Sequence, residues 1–368
     1  MYKASTSLEA IILERVRAAG RLTFAEYMDL ALYHPQLGYY TSGAPKVGLA
    51  VDFFTSARLH PLFGACLARQ IIRLWNRLGC PQPFVVVEEG AAQGLLATHI
   101  EEAIKQMAPG LADVLRYYRV DIGQLALPGA IVNKAASPHV VLSNELIDAF
   151  PVHLVESYAD QLREVYVVER EGRLAEELDA PSSDAVACYL DQYRIEWRAF
   201  GRERPWRAEV NLRALEWIRD TASRLARGGY VLTIDYGDTA RRLYINRRRR
   251  GTLLCYFRHN TNEEPLARPG QQDITAHVNF TALIDEGRRA GLRRSRFTTQ
   301  RDFLLGWGIR ELGEDLRISR FAAADTARHT DQGQADLLRY LSLRNAVTAL
   351  LDPDGLGGYR VLLQHKDS

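Results

Sequence analysis

The stretch FVVVEEGAAQG at residues 84–94 decides the fold class of this chain of 368 residues. It begins with β-branched valines, a run typical of a strand that is buried on both faces of a parallel sheet. Two acidic residues and a turn of small residues follow. Because ligands of open α/β sheets bind beyond the carboxyl ends of the strands, we expect a binding site at this turn.

Three more apolar runs predict further strands, at residues 117–120, 139–143 and 230–234. Helical or irregular segments separate them, and an amphipathic helix at residues 211–227 leads into the last of them. This alternation of strands and helices predicts an α/β fold with a Rossmann-like, doubly wound sheet.

The residues before position 81 predict helices. Thr6 with Glu9, and Thr23 with Glu26, are each spaced as a capping box at the start of a helix. A third helix is expected to begin at Pro61, because proline is favoured in the first turn of a helix.

The composition is that of an ordinary globular protein: 47% of the residues are hydrophobic, 25% are charged, and the formal net charge is +2. No apolar run reaches the roughly 18 residues of a membrane span, and the small net charge does not favour nucleic acid as the main partner. The absence of a leader pattern in the first nine residues favours a cytoplasmic location. We expect buried thiols in a reducing compartment and no metal site, because no CxxC pair joins Cys66, Cys80, Cys188 and Cys255.

The turn after the first strand has the features of a nucleoside site. Gly90 and Gly94 let the backbone pass close to a ligand, and Glu88 supplies an acid just before them. Asp121 follows the second predicted strand, where a carboxylate can accept hydrogen bonds from both ribose hydroxyls. Each feature alone also fits an ordinary turn or an exposed acid, but together they favour a nucleoside cofactor.

Polar residues also follow the third predicted strand, beginning with Asn144. If the chain continues as a helix, Glu145 and Asp148 lie three residues apart on one face, and two carboxylates so placed match a guanidinium group. The alternative is a helix N-terminus enriched in acids, which complements the helix dipole without any function. Asp235 ends the next strand beside these residues, and His277, in an apolar setting, is a weaker candidate.

The motifs of nearly the whole chain closely resemble the MidA family, which includes the mitochondrial arginine methyltransferases that assemble respiratory complex I. The resemblance rests on FAEYM (24–28), LYHPQLGYY (32–40), DFFTS (52–56), PLFG (61–64), NELIDAFPV (144–152), DYG (235–237), GTL (251–253), His259, PG (269–270) and DITAHVNF (273–280). It implies a class I methyltransferase fold, S-adenosylmethionine as methyl donor, and symmetric dimethylation of an arginine on an NADH dehydrogenase subunit.

The resemblance also suggests an organisation and a site. The segments are an N-terminal helical extension (1–80), the first half of the S-adenosylmethionine-binding domain (81–150), an inserted substrate lobe (151–205), and the second half with C-terminal additions (206–368). The expected catalytic residues are Asn144, Glu145, Asp148, Asp235 and His277. The expected cofactor-binding residues are Asp52, Thr55, Ser56, Glu88, Gly90, Ala92, Gly94 and Asp121. The expected partner is a protein substrate, without nucleic acid or a membrane span, and a homodimer stays open.

Three departures from the family pattern surround the cofactor. Ala92 replaces the middle glycine of an E-x-G-x-G-x-G turn, Val51 replaces the glycine before Asp52, and the segment between Asp121 and Asn144 is shorter than usual. They leave two alternatives open: a methyltransferase of the same fold that acts on a small molecule, and a non-catalytic assembly factor. Nucleic-acid binding through Arg241, Arg242 and residues 247–250 is a third, although this short run is more typical of a solvated loop.

Overall fold

The computed structural model describes residues 7–42, 56, 60–121, 137–258, 260–321 and 331–367. Its N-terminal half contains α1 (Leu8–Ala19), β1 (Leu22–Thr23), α2 (Phe24–Tyr33), α3 (Pro61–Arg77), β2 (Phe84–Glu89), α4 (Leu95–Met107), α5 (Pro109–Val114), β3 (Leu115–Val120), β4 (Val140–Asn144), β5 (His153–Tyr158), β6 (Gln161–Arg170) and β7 (Arg173–Asp179). Next come α6 (Asp184–Gln192), α7 (Trp197–Phe200), β8 (Trp206–Val210), α8 (Leu212–Arg224), β9 (Tyr230–Asp235), β10 (Gly237–Asp238), α9 (Ala240–Leu243), β11 (Leu254–Phe257) and β12 (Asn260–Asn262). The last elements are β13 (Asp273–Thr275), β14 (Val278–Asn279), α10 (Phe280–Arg289), β15 (Arg294–Thr299), α11 (Gln300–Gly306), α12 (Ile309–Phe321), α13 (Asp331–Leu351) and β16 (Arg360–His365).

The main sheet has the strand order β15-β16-β9-β4-β2-β3. Strands β2, β3, β4 and β9 are parallel, and β16 lies antiparallel between β9 and β15. This arrangement confirms the predicted α/β fold with a Rossmann-like sheet. The predicted strand bounds differ from the observed ones by two residues at most, and the largest differences are at the end of β2 and the start of β3, where the observed strands include charged residues.

Helices cover both faces of the main sheet. On one face, Ile71 of α3 and Ile100 of α4 pack against β2 and β4. On the other, Ile218 of α8 and Phe280 of α10 pack against the same strands. All four side chains are fully buried, and truncating a buried isoleucine to alanine typically lowers the free energy of unfolding by about 2–5 kcal/mol.

A second, antiparallel sheet has the order β1-β6-β5-β8, and β7 pairs with β6. Side chains of α1 and α2, among them the fully buried Phe24 and Tyr27, pack against Val165 and Val167 of β6. Of the segment predicted as the helical extension, α1 and α2 therefore pack on the second sheet, whereas α3 packs on the main sheet. The division at residues 80, 150 and 205 stays a prediction.

Of the two predicted capping boxes, one is confirmed by the structure. The capping box of Thr23 and Glu26 is confirmed at the start of α2. Ser7, not Thr6, caps α1, since its side chain accepts a hydrogen bond from the backbone N–H of Ala10; Thr6 lies outside the described residues.

The prediction of four buried thiols is wrong for Cys188, which is exposed on α6, and Cys80 is only partly buried. In the described part of the chain, no helix is both long and apolar enough to cross a membrane. The same residues contain no group of three His, Cys, Asp or Glu side chains arranged to hold a metal ion.

Candidate active site

The parallel strands of the main sheet end at one edge, and the predicted polar residues follow these ends. Glu89 ends β2, Asn144 ends β4 and Asp235 ends β9. The strand register places Asn144 beside Ile234, one residue before Asp235. The edge therefore gathers the glycine turn and the acidic segments, as the sequence predicts.

The turn after β2 is left-handed at Gly90 (φ 76°), Ala92 (φ 45°) and Gly94 (φ 74°). Asp121 stabilises the turn, because its Oδ2 accepts a hydrogen bond of 2.7 Å from the backbone N–H of Ala92. A Cβ on Gly90 would lie 3.0 Å from Leu146, so this turn packs closely against the segment after β4. Ala92 keeps a backbone conformation that suits the expected glycine, at a strain of about 1–2 kcal/mol.

Glu88 lies within the sheet beneath this turn. It is 3% exposed, and its Oε2 accepts a hydrogen bond of 2.9 Å from the hydroxyl of Tyr117. Burial raises the pKa of Glu88 to about 7, although the bond from Tyr117 acts in the opposite direction. Its expected contact with the cofactor stays a prediction.

The segment after β4 does not continue as a helix, so that prediction is wrong. Glu145 has φ 52°, a left-handed conformation, and only Ile147–Ala149 form a short 3₁₀ turn. A helix cannot continue here because Pro151 restricts the residue before it, and Phe150 is extended (φ −66°, ψ 139°). Oδ2 of Asp235 fixes the short turn, because it accepts the backbone N–H groups of Leu146, Ile147 and Asp148 at 3.3, 2.9 and 3.3 Å.

Glu145 and Asp148 nevertheless share one site. Burial and then the charge of Asp148 raise the pKa of Glu145 to about 8. Oε1 of Glu145 accepts hydrogen bonds from the side-chain amide of Asn144 at 3.2 Å and from the backbone N–H of Ser56 at 3.4 Å. Burial raises the pKa of Asp148 as well, and a hydrogen bond from the Tyr236 hydroxyl opposes that rise.

Two buried acceptor atoms of this site have no hydrogen-bond partner among the described residues: Oδ1 of Asp148 and Oδ1 of Asn144. Asp148 is only 4% exposed. An unpartnered buried acceptor typically costs about 1–3 kcal/mol, so such atoms usually face a donor. In the described part of the chain, no Lys or Arg forms an ion pair with Glu145, Asp148 or Asp235. The site therefore offers acceptors and negative charge to a cationic donor.

Asp235 holds the loop rather than facing an open site. Beside the three N–H groups on Oδ2, its Oδ1 accepts the backbone N–H of Tyr236 at 2.9 Å, and the side chain is fully buried. Burial, and then the charges of Asp148 and Glu145, raise its pKa well above the usual range. The geometry supports a positioning role, and its predicted part in catalysis stays untested.

Tyr236 links Asp148 to a set of aromatic rings. Its ring centroid lies 5.3 Å from that of His277 and 5.4 Å from that of Tyr359. His277 is exposed, and its backbone N–H donates to Thr252 Oγ1 at 2.9 Å. Among the described residues, His277 makes no hydrogen bond to either carboxylate, so the structure brings it to Tyr236 and not to the acidic pair.

The predicted residues of the DFFTS motif are described only in part. Ser56 is buried, and beside its contact with Glu145 its hydroxyl accepts a hydrogen bond of 2.9 Å from the side-chain amide of Gln300. It thus lies with the acidic pair. Asp52 and Thr55, as well as Val51, lie outside the described residues.

The sequence reasoning assigned no role to the aromatic residues of LYHPQLGYY. The Tyr40 hydroxyl lies 2.8 and 2.7 Å from the two carboxylate oxygens of Asp273, and the Tyr33 hydroxyl donates to the backbone oxygen of Ala149 at 2.9 Å. The two rings stack at 5.6 Å. Burial, then the charges of Asp273 and Asp148, raise the pKa of both tyrosines. The repeated tyrosines of this motif were the available signal. Asp273, the partner of Tyr40, is 233 positions away in the sequence.

The arginine run has structural partners. Arg249 donates to backbone oxygens of Phe200 and Arg204, Arg248 donates to that of Arg242, and Arg250 pairs with Glu263. These contacts tie the run to α9, to α7 and the segment after it, and to Glu263 after β12, and nothing in them favours a nucleic-acid partner.

The comparison with known families decides the class. The sequence profile of a family of S-adenosyl-L-methionine-dependent methyltransferases matches residues 66–127 and 130–298. The chain belongs to this family. The protein is therefore a methyltransferase that uses S-adenosylmethionine, which confirms the predicted enzyme class, family resemblance and cofactor.

Curated relatives and solved structures agree with this assignment. The chain is 26% identical over 340 residues to the mitochondrial protein arginine methyltransferase NDUFAF7 of Rattus norvegicus, covering 81% of this chain and 73% of the relative. The Drosophila melanogaster homologue is 25% identical over 323 residues, covering 74% and 68%. A Burkholderia thailandensis protein crystallised with S-adenosylhomocysteine superposes with a TM-score of 0.77 at 28% identity, covering 98% of this chain and 92% of that one.

These comparisons correct one prediction. The relatives are named as mitochondrial proteins, which contradicts the expected cytoplasmic location. The expectation rested partly on unpaired cysteines, and these indicate a reducing compartment without distinguishing one such compartment from another.

Proposed function

We propose that this methyltransferase transfers the methyl group to the guanidinium of an arginine side chain on a partner protein. The main support is the pair of carboxylates Glu145 and Asp148. Asp148 is buried, and one of its oxygens has no hydrogen-bond partner among the described residues. Glu145 lies beside it, and no cation in the described region compensates their charge. A guanidinium supplies both the positive charge and a planar set of N–H donors, a combination that matches two carboxylates.

The relatives support the arginine acceptor, because several are named as protein arginine methyltransferases. The family resemblance further suggests that the partner protein is a subunit of the respiratory NADH dehydrogenase. Symmetric dimethylation comes from the same resemblance and stays a prediction, and a homodimer stays open.

The residues at the end of β2 fit the methyl donor. Gly90 and Gly94 present backbone without a side chain, and the carboxylate of Asp121, fixed by the N–H of Ala92, is placed for the ribose hydroxyls. The donor supplies a methyl group already activated by a sulfonium charge. The turn and Leu146 are in contact range, so donor and acceptor sites adjoin.

The work left to the protein is to position the acceptor and to remove its proton. A guanidinium is a poor nucleophile because its lone pairs are delocalised and its pKa exceeds about 12. Asp148 and Glu145 would orient one nitrogen toward the methyl group, since alignment within near-attack distance contributes much of the rate.

Calorimetry with N-acetyl-arginine amide, in the presence of S-adenosylhomocysteine, tests the acceptor class. We expect binding of the arginine compound and none of its citrulline analogue, which has the same length and no charge. Equal affinity for both compounds would refute a site built for a guanidinium.

A further inference from the structure

The two acceptor carboxylates have unlike hydrogen-bond surroundings. Oδ2 of Asp148 receives a hydrogen bond from the hydroxyl of Tyr236. Among the described residues, Glu145 receives only amide donors, at 3.2 Å from Asn144 and at 3.4 Å from Ser56. The second distance is near the limit for such a bond. Asp148 is therefore the better stabilised of the two in its ionised form.

Tyr236 is held in the position that this bond requires. Its backbone N–H donates to Oδ1 of Asp235 at 2.9 Å, and its ring lies between those of His277 and Tyr359. The same Asp235 fixes the backbone of Asp148 through its other oxygen, at 3.3 Å. The buried carboxylate of Asp235 therefore fixes the backbone of both residues of the Tyr236–Asp148 hydrogen bond.

The groups that face the acidic pair from the surrounding elements add no positive charge in the described residues. Glu145 is faced by Asp148, Asp235, Tyr256 and Tyr359; Asp148 is faced by Tyr33, Tyr40, Tyr236 and, beyond Tyr40, Asp273. Arg360 pairs with Asp235 in the strand register, but its guanidinium forms an ion pair with Asp238. A second negative charge next to Asp148 is therefore unfavourable until a cation arrives, and burial with this repulsion raises the pKa of Glu145 to about 8.

We propose that Tyr236 is a positioning residue that divides the work between the two carboxylates: its hydroxyl keeps Asp148 ionised to orient the acceptor, and Glu145 accepts the proton that the acceptor loses. The proposal rests on the proposed arginine methylation and adds the roles within the pair. Environments that separate two neighbouring titrating groups are a common basis for such a division.

Methyl transfer forms one covalent bond and breaks another. One guanidinium nitrogen forms a bond to the methyl carbon, the carbon–sulfur bond breaks, and its electron pair stays on the sulfur. The nitrogen then gives one proton to the carboxylate of Glu145. Glu145 must be ionised to take that proton, so transfer rises with pH as Glu145 loses its own.

Infrared titration of the protonated carboxyl band tests the role of Tyr236 without any acceptor. Glu88 and Asp235 also contribute to this band near neutral pH, because burial raises the pKa of both. We therefore expect the difference between wild type and Glu145→Gln to contain one carboxyl component that disappears as the pH is raised. Tyr236→Phe should gain one further protonated carboxyl relative to wild type, which the double variant Tyr236→Phe with Asp148→Asn lacks. Tyr359→Phe is the matched control, since Tyr359 contacts the same ring and its hydroxyl makes no hydrogen bond to a described residue. A band in Tyr236→Phe identical to that of the wild type would overturn the proposal.

The second test measures the rate of methyl transfer to the proteins of a host lysate from about pH 6.5 to about pH 9.5. Tyr236→Phe should be about tenfold slower than wild type near pH 7 and approach it near pH 9, for a rise of about two pH units in the pKa of Asp148 from its value of about 6. A variant that is merely damaged would be slow at every pH and would overturn the proposal. If the infrared result holds but no arginine is methylated by the wild type, the proposed function fails and the effect of Tyr236 on Asp148 stands.

Discussion

Oδ2 of Asp235 lies 2.9 Å from the backbone nitrogen of Ile147, and this contact organises the candidate site. The neighbouring N–H groups of Leu146 and Asp148 converge on the same oxygen at 3.3 Å each. These bonds fix the turn after β4, in which Glu145 has a left-handed conformation at the edge of the sheet. Asp235 therefore determines where the acidic pair lies.

Replacing Asp235 should loosen this loop. Asp235→Ala leaves several buried N–H groups without an acceptor, so we expect the free energy of unfolding near pH 7 to fall by about 2–3 kcal/mol. Urea unfolding measures the change. Asp220→Ala, at an exposed carboxylate of α8, is the control and should change stability by less than about 0.5 kcal/mol. Equal effects of the two substitutions would contradict the role given to Asp235.

The free energy of unfolding should depend on pH through the titration of Glu145. Burial raises its pKa from 4.5 to about 8, so between these values the folded protein binds more protons than the unfolded chain. The free energy of unfolding contributed by this group falls as the pH rises through that window. In Glu145→Gln this contribution is absent, and we expect the variant to be more stable than wild type above about pH 8.

Urea unfolding of both proteins from about pH 5 to about pH 9 measures that difference, because titrations common to the two proteins cancel. Glu216→Gln, at an exposed position on α8, controls for the loss of a charge. A difference between wild type and Glu145→Gln that stays constant with pH would show that Glu145 is not perturbed.

Ala92→Gly should relieve the strain of the cofactor turn. Glycine adopts a φ of 45° without the steric cost that alanine incurs, so we expect a gain of about 1 kcal/mol in the free energy of unfolding. The expected rise in melting temperature is about 2 °C for a protein of this size. Ala91→Gly, one residue earlier, is the matched control and should lower stability. A loss of stability in Ala92→Gly would contradict the left-handed conformation.

Asp121 should contribute to cofactor affinity in two ways, through the ribose hydroxyls and through the N–H of Ala92 at 2.7 Å. Hydrogen bonds to a charged group contribute about 1.5–3 kcal/mol, so we expect Asp121→Ala to weaken S-adenosylhomocysteine binding by about 10- to 100-fold. Calorimetry measures the dissociation constant of S-adenosylhomocysteine. Asp113→Ala on α5, away from the turn, should leave that constant unchanged. Unaltered affinity in Asp121→Ala would remove this residue from the cofactor site.

The four parallel strands of the main sheet could be predicted because their signals are local, but β15 and β16, which complete the sheet, are not among the predicted strands. Strand β2 begins with a continuous apolar run at residues 84–87, and such a run indicates a buried strand without knowledge of its neighbours. The same holds for the capping box of Thr23 and Glu26, which needs only four consecutive residues. The position of the acidic residues at strand ends followed from the sheet.

The details of the site depended on contacts between distant residues. The turn that carries Glu145 and Asp148 is fixed by Asp235, 87 to 89 positions after the residues whose N–H groups its carboxylate accepts. The partnership of Tyr40 and Asp273 spans 233 positions. Patterns of three or four residues cannot indicate such pairs, so the acids could be named while their geometry and their aromatic neighbours could not.

The most direct test of the central claim is mass spectrometry of proteins labelled by this methyltransferase. Purified protein is incubated with isotopically labelled S-adenosylmethionine and a host lysate, and the labelled residue is identified in each modified peptide. We expect label on arginine with the wild type and with Glu216→Gln, and a fall of about 100-fold or more with Glu145→Gln. Label on another type of residue or on small molecules alone, or full labelling by Glu145→Gln, would contradict the account.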